Sequence, residues 1–257
     1  MIDARAVIDP GAKIHETVQI GPFSVIGANV EIGAGTVIGP HVVIEGPTTI
    51  GENNQIFQFA SIGAMPQDKK FAGEMTRLEV GNNNIIREFC TFNRGTTQGG
   101  GVTRVGNDNL FMAYVHLAHD CIVGNHTVFS NNASLAGHVI VDDHVILGGF
   151  AVVGQFIRLG QYSFLCGSSV VIKDIPPFVR VSDYYAKPYG LNSVGLQRHG
   201  FSSDDVSLLK RAYKSLFRSD LSLEKALLEI EPLASESKYI QTLVDFLKGP
   251  SKPGIIR

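Results

Sequence analysis

The chain has no surplus of charge of either sign. Its 22 Lys and Arg stand against 24 Asp and Glu, a formal net charge of −2. Nucleic-acid binding rests on neutralising phosphates with a basic excess, so the composition gives no case for it. No apolar run reaches the roughly eighteen residues that a membrane span needs. The opening Met1-Ile2-Asp3-Ala4-Arg5 lacks the basic-then-apolar order of a secretory signal. Cysteines number only three, an odd count, and no pair has metal-ligand spacing. A disulfide framework is therefore not indicated, and a reducing cytoplasm is the natural setting. What remains is a 257-residue chain, 44% apolar, long enough to bury a continuous core.

That apolar content is spaced on a six-residue beat. Ile8, Ile14 and every sixth residue to Ile62 are isoleucine, and the beat resumes at Val80, Ile86 and Phe92. It then runs without a break from Val105 through Phe111, Leu117 and Val123 to Val171. Gly follows the beat residue in 12 of the 25 hexads. The fifth hexad position is mostly small or β-branched, as at Ala12, Ser24, Thr36, Cys90 and Thr127, and Cys121 shares it. A period of six fits neither an α-helix nor an isolated amphipathic strand. It fits a chain that turns a corner every six residues and points two side chains per hexad inward. Three hexads close one triangular coil, so the expected fold is mainly β: a left-handed parallel β-helix of hexapeptide repeats. Its glycines suit either φ > 0 or close backbone approach.

Two stretches break the beat, a polar one at 64–79 and a Gly-rich one at 97–104, and interruptions of a solenoid map to loops where binding concentrates. After Ile175-Pro176-Pro177 the spacing becomes helical. Val206, Leu209, Tyr213 and Leu216 form one stripe, Leu223, Ala226, Leu227 and Ile230 a second, and Ile240, Leu243, Val244 and Leu247 a third. Ser202 and Ser222 stand as N-caps. The expected division is a β-helix over 1–186 and a C-terminal α-helical domain over 187–257 that covers the open end of the solenoid. Phe57, Phe59 and Tyr114, read as exposed, suggest side-by-side association, most simply as a homotrimer.

Five of the eight histidines fall between residues 116 and 144. One coil is eighteen residues, so His119, Gly137 and Gln155 stack in one column at the third hexad position. His126, His144 and Tyr162 stack in another at the fourth. Both positions are read as facing outward, where such stacks ordinarily decorate a surface. His119 is the exception that points to chemistry, because a neutral imidazole takes a proton well near pH 7. The N–H of Gly137 one coil on could stabilise an oxyanion, and with His138 beside it the set reads as an acyl-transfer site. A metal is the rival chemistry for clustered histidines, but three ligands must converge, and spacing forces no third partner beside His116 and His119.

The hexads, QDKKFAGE (67–74), RGTTQGGG (94–101), HLAHDC (116–121), NNASLAGHVIVDD (131–143) and PYGLNSVGLQRHGFS (188–202) together resemble the acyl-carrier-protein-dependent UDP-N-acetylglucosamine O-acyltransferases, over essentially the whole chain. These enzymes open lipid A synthesis in Gram-negative bacteria. The resemblance implies a cytoplasmic homotrimer with sites between neighbouring prisms. A 3-hydroxyacyl group would pass from the phosphopantetheine of acyl carrier protein to the sugar 3-hydroxyl, with no metal and no cofactor of the enzyme's own. His119 matches the general base, Asp120 its supporting carboxylate, and the Gly137 N–H the oxyanion donor. Gln67, Asp68, Lys70, His116, His138 and Gln155 match residues lining the sugar and acyl site. Asn192 and Arg198 match nucleotide contacts, and Gly167 the floor of the acyl groove, where a small residue favours a long chain. Arg198, Lys210, Arg211, Lys214 and Arg218 are either an exposed helix face or a basic patch for the acidic carrier.

Four positions depart from the family pattern. Asn93 and Gly154 stand where histidines are common, Val194 replaces an acidic residue near the nucleotide, and His199 replaces an Arg expected near phosphate. A neutral His cannot match the permanent bidentate charge of Arg. These departures keep two alternatives open: a second copy that acylates a different UDP-sugar, such as a 3-amino sugar, or a non-catalytic scaffold that binds a nucleotide sugar.

Overall fold

The computed structural model describes all 257 residues. From Val7 to Val171 the chain winds as a triangular prism walled by three parallel sheets, a left-handed β-helix. Face 1 has nine strands, from Val7–Ile8 to Val170–Val171, and face 2 has eight, from Lys13–Ile14 to Arg158–Leu159. Face 3 has ten, starting at Gln19–Ile20. Val7 pairs with Val25, Lys13 with Glu31 and Gln19 with Val37, so one coil spans the eighteen residues that the beat requires.

Every beat residue from Ile20 onward is buried, while Ile8 and Ile14, at the open end, are only half-covered. Truncating one of these to Ala would cost about 2–5 kcal/mol. Phe92, Phe111 and Phe129 stack inside the prism with centroids 5.0 and 4.9 Å apart. Cys90 and Cys121 occupy the inward fifth position as expected, and burial pushes both thiols up to about 12. The fifth-position column between faces 2 and 3 holds asparagines at three coils, Asn54, Asn84 and Asn109. Asn84 Nδ2 donates to Asn54 Oδ1 (3.0 Å) and Gly106 O (2.9 Å), and Asn84 Oδ1 accepts from Asn109 N (3.0 Å). A buried polar ladder is tolerated because its members satisfy one another.

Of the two roles open to the glycines after the beat, close approach is the usual one, with Gly63 (φ +80°) the exception. A Cβ on Gly33 would lie 2.8 Å from the Gly51 backbone of the next coil. Positive φ falls on the fourth hexad position instead, at residues such as Asn29, Asn53, Asp120, His138 and Tyr162. Asn, Asp and His are the side chains that enter that region most readily. The exposed aromatics follow the same rule. Phe23, His41, Phe59, Phe89 and Tyr114 stack along the edge between faces 3 and 1, not on a flat face. Phe57 is half-buried beneath Arg87.

Both interruptions leave the prism at one edge, between faces 1 and 2. Ile62 pairs with Phe92 and Phe92 with Leu117, so these two coils take 30 and 25 residues. The first excursion lies between the strands Ser61–Ala64 and Arg77–Val80. The second is shorter than 97–104: Thr97–Gly99 forms a 3-10 turn, and Val102–Val105 already pairs on face 2 with Arg77–Val80.

Face 3 ends in an antiparallel hairpin, Val179–Ser182 with Lys187–Leu191. Four helices follow: α1 (Ser193–Arg198), α2 (Ser203–Phe217), α3 (Leu223–Ile230) and α4 (Lys238–Lys248). Ser202 and Ser222 cap α2 and α3 by accepting from the Asp205 and Lys225 N–H groups. The three apolar stripes meet in one cluster with Phe178 and Leu196. The tail returns to the prism, where Asp174 N donates to Gly254 O and Ile256 N to Asp174 O. No helix is long and apolar enough to cross a membrane.

Candidate active site

The edge that carries both excursions also carries His119 and Asp120. Third and fourth hexad positions point away from the core, yet these two residues are only 7% and 5% exposed. The second excursion explains the difference, because it folds back over the edge and brings Thr96 onto the Asp120 carboxylate. Thr96 N donates to Asp120 Oδ1 (2.7 Å) and Thr96 Oγ1 to Asp120 Oδ2 (2.6 Å). Asp120 N in turn donates to Thr103 Oγ1 (2.8 Å).

His119 Nδ1 lies 2.8 Å from Asp120 Oδ2. An ionised carboxylate only accepts, so the proton of a neutral imidazole sits on Nδ1 and leaves the Nε2 lone pair free. The ring is seated over Gly137, where a Cβ would fall 2.6 Å from His119 Cε1. The Gly137 N–H has no acceptor within the chain. His138 packs edge-on to His119 at 5.2 Å and stacks on Phe156 at 4.5 Å. His116 Nδ1 meets Thr91 Oγ1 at 2.7 Å. Burial lowers the pKa of both His116 and His138, which favours their neutral forms at pH 7.

The remaining expected residues divide among three places. Gln155 is exposed one coil beyond Gly137. Gln67 and Lys70 are exposed in the first excursion, and Asp68, half-buried there, is close enough to act on the charge of His138. Asn192 and Arg198 lie elsewhere, in a cleft of about 500 Å³ against face 3 with Ile146, Phe164, Arg180 and Tyr189. Gly167 sits on the third edge, between faces 3 and 1, stacked on Gly149. A single prism therefore does not bring the His119 group and the Arg198 group together.

Several of these side chains are engaged within the chain. Asn192 lines its cleft, but its side chain is engaged within the chain: Oδ1 accepts from Gly195 N and Nδ2 donates to Tyr162 O. His199 faces away from Arg198, its Nδ1 on Gly195 O (2.8 Å) and its ring edge-on to His144 and Tyr162. Asn93 is buried and donates to Met65 O (3.0 Å), at the root of the first excursion. Ligand atoms of His119, Asp120 and His138 converge within 4.8 Å, a different set from His116 and His119. An ion there would have to displace hydrogen bonds from Thr96 and His119 that already fill the carboxylate.

Thr96 and Lys252 were not singled out from the sequence. Lys252, from the C-terminal tail, sits 3.7 Å from the Phe156 ring centre beside His138. A lysine in a Pro/Gly tail carries no periodic signal. Arg180 was also missed; neither it nor Arg198 has a carboxylate partner, and Arg180 is held in the face 3 cleft by Cys166 Sγ (3.4 Å from its Nε) and by the Tyr189 ring, 5.0 Å from its guanidinium carbon.

Residues 174–256 match the model described as UDP-N-acetylglucosamine O-acyltransferase, domain 2, and residues 11–46 and 103–137 match bacterial transferase hexapeptide repeats. The acyl-[acyl-carrier-protein]–UDP-N-acetylglucosamine O-acyltransferase of Thiobacillus denitrificans is 56% identical, over 100% of this chain and 99% of that protein. The chain belongs to the UDP-N-acetylglucosamine O-acyltransferase family. The family member of the same name from Neisseria gonorrhoeae is 52% identical, with 100% and 99% covered. The crystal structure of the family's enzyme from Moraxella catarrhalis superposes with a TM-score of 0.97 at 46% identity, covering 100% of this chain and 99% of that one. This acyltransferase family thus accounts for the prism, both excursions and the helical tail together.

Proposed function

We propose that the protein transfers a 3-hydroxyacyl group from acyl carrier protein to the 3-hydroxyl of UDP-N-acetylglucosamine, the first step towards lipid A, with His119 as general base. The observation that carries this reading is the buried His119–Asp120 pair, its Nε2 free, beside the uncommitted Gly137 N–H. His119 Nε2 takes the hydroxyl proton as the sugar oxygen attacks the thioester carbonyl carbon. The Gly137 N–H faces the oxyanion that forms, and Asp120 balances the imidazolium. Collapse breaks the carbon–sulfur bond, and the leaving thiolate takes the proton from His119. The thioester is already activated, so the step needs no metal.

Asn192 and Arg198 would serve the same reaction from a neighbouring copy. Face 3 presents an outward apolar column, Ile85, Leu110, Val128, Ile146 and Phe164, leading to their cleft. A ring of three prisms that sets each His119 edge against the next face 3 would enclose an acyl chain between apolar walls and a diphosphate near Arg180 and Arg198. Asn93 and His199 are both engaged within the chain, which weakens the case that these departures alter the acceptor.

The test is turnover with UDP-N-acetylglucosamine, its 3-amino analogue and a panel of 3-hydroxyacyl carrier thioesters, with products read by mass spectrometry. Acylated UDP-N-acetylglucosamine from the wild type, with His119→Ala slower by about 10²–10⁴ and still folded, is the expected result. Product with the 3-amino sugar alone would move the acceptor. Silence with both, despite nucleotide binding, would leave a scaffold.

A further inference from the structure

Resting on the reading of His119 as base, we propose that Thr96 is the positioning residue for the Asp120–His119 pair, and that the Gly-rich excursion over this edge serves to deliver it.

Asp120 has an unusual seat. Its φ is +62°, at a corner, and its carboxylate would point towards solvent were the coil of ordinary length. The excursion supplies seven residues beyond the eighteen of a regular coil, 25 in all from Phe92 to Leu117. It uses them to make one compact turn. Gly99 N donates to Thr96 Oγ1 (3.2 Å) and Gly101 N to Thr96 O (2.7 Å), so Thr96 caps its own turn. A hydroxyl has one proton, and with Gly99 N donating to this one, that proton goes to Asp120 Oδ2. Thr96, itself only 3% exposed, thereby gives both its donors to one carboxylate, one to each oxygen.

This pins the plane of the carboxylate. Oδ2 is shared between Thr96 Oγ1 and His119 Nδ1, so the direction from which it accepts the imidazole proton depends on Thr96. The turn also packs tightly on the group: a Cβ on Gly99 would overlap the Asp120 carboxyl carbon and both its oxygens. Thr96 itself meets no reacting atom. It acts through Asp120 on the orientation of His119, and the reaction is sensitive to such placement, since about 1 Å of error costs about 10²-fold in rate.

The experiment compares Thr96→Val, which keeps shape and loses the hydroxyl, with Thr96→Ser, Asp120→Asn, the Thr96→Val/Asp120→Asn double variant and His119→Ala. The full-length protein is assayed with UDP-N-acetylglucosamine and a 3-hydroxyacyl carrier thioester. Thr96→Val is expected to lower kcat by about 10–10² with KM for the sugar nucleotide within about twofold, and Thr96→Ser to recover to within about threefold of wild type. In the Asp120→Asn background, Thr96→Val should cost less than about twofold, because the group it orients is already altered. Should Thr96→Val fail to fold, Thr96→Ala, which also removes the hydroxyl and adds no bulk against the carboxylate, is expected to show the same loss in kcat alone. A Thr96→Val enzyme with unchanged kcat beside an inactive His119→Ala overturns the inference and leaves the catalytic reading standing. Equal, additive losses in kcat and KM overturn it in favour of a purely structural loop. An active His119→Ala removes the catalytic reading itself.

Discussion

Replacing Gly137 by Ala tests the seat of the imidazole more directly than removing the imidazole does. Gly137 does not have positive φ, so Ala is compatible with its backbone. The added Cβ would lie 2.6 Å from His119 Cε1 and 2.8 Å from Nε2, where carbon contacts are ordinarily about 3.5–4.0 Å. The ring must retreat by about 1 Å. It is held on its other side by the 2.8 Å bond to Asp120 and by the edge of His138. Straining a buried hydrogen bond to a charged group costs about 1.5–3 kcal/mol. The N–H of residue 137 stays where it is, so the proposed oxyanion donor survives while the proposed base is displaced. Displacement of about 1 Å corresponds to a loss near 10² in kcat, or about 2.7 kcal/mol of barrier. Steady-state turnover across sugar-nucleotide concentrations reads the loss, and circular dichroism with gel filtration verifies the fold. A Gly137→Ala enzyme that keeps kcat within about threefold of wild type would refute the placement of the ring over this glycine.

Two further expectations concern stability, both measured by urea denaturation at matched protein concentration. Asp142 is raised from 3.8 to about 6, chiefly by burial and then by Asp143. A carboxyl raised on folding loses stability as pH climbs through that window, because the unfolded chain ionises first, and the penalty is complete above about pH 6. Asp142→Asn should therefore gain about 1–2 kcal/mol at pH 7.5 and nothing at pH 3.5; equal gains at both would show that the effect is not ionic. Arg158 Nε is 2.8 Å from the fully buried Asp174, and its guanidinium lies 4.3 Å from the Phe246 ring centre. Arg158→Met strands that carboxylate and should cost about 3–5 kcal/mol, with residues 249–257 becoming protease-sensitive; an unchanged midpoint would refute the latch.

The prism was legible because its signal is periodic and redundant. Ile20 and Val171 report the same geometry, and adding eighteen correctly placed His119, Gly137 and Gln155 in one column. The helical stripes were legible for the same reason, down to the caps at Ser202 and Ser222. What failed was whatever depends on aperiodic chain. The burial of His119 and Asp120 comes from a turn at 96–101 whose path no repeat dictates. The inward asparagines at 54, 84 and 109 depend on mutual hydrogen bonds that the hexad pattern does not announce. The hairpin over 179–191 contains Pro188 and a register shift, so its strands lack clean alternation. The use of the His199 ring against His144 and Tyr162, 55 and 37 residues away in sequence, likewise had no signal in the repeat.

The position of the proposed site on the prism has a physical basis in where free backbone donors remain. Inward positions are filled by core, and strand amides are committed to the sheets. Corner N–H groups at the third hexad position are the remaining supply. Along the edge between faces 2 and 3 they are consumed: Glu52 N donates to Asn82 Oδ1, Asn82 N to Asn107, Asn107 N to Asn125 and Asn125 N to Asp143. Each acceptor there is the side chain one coil on. Along the edge between faces 1 and 2 the corresponding residues are His119, Gly137 and Gln155, and none of their N–H groups has an acceptor in the chain. Gly137 has no side chain with which to cap His119, and Gln155 does not cap Gly137. Both excursions are inserted at this edge, and the strand Ser61–Ala64 meets the first with a register shift between Ile62 and Ala64. Corner donors are left open between faces 3 and 1 as well, but the edge between faces 1 and 2 combines them with both insertions, which puts the open Gly137 N–H beside the buried His119–Asp120 pair.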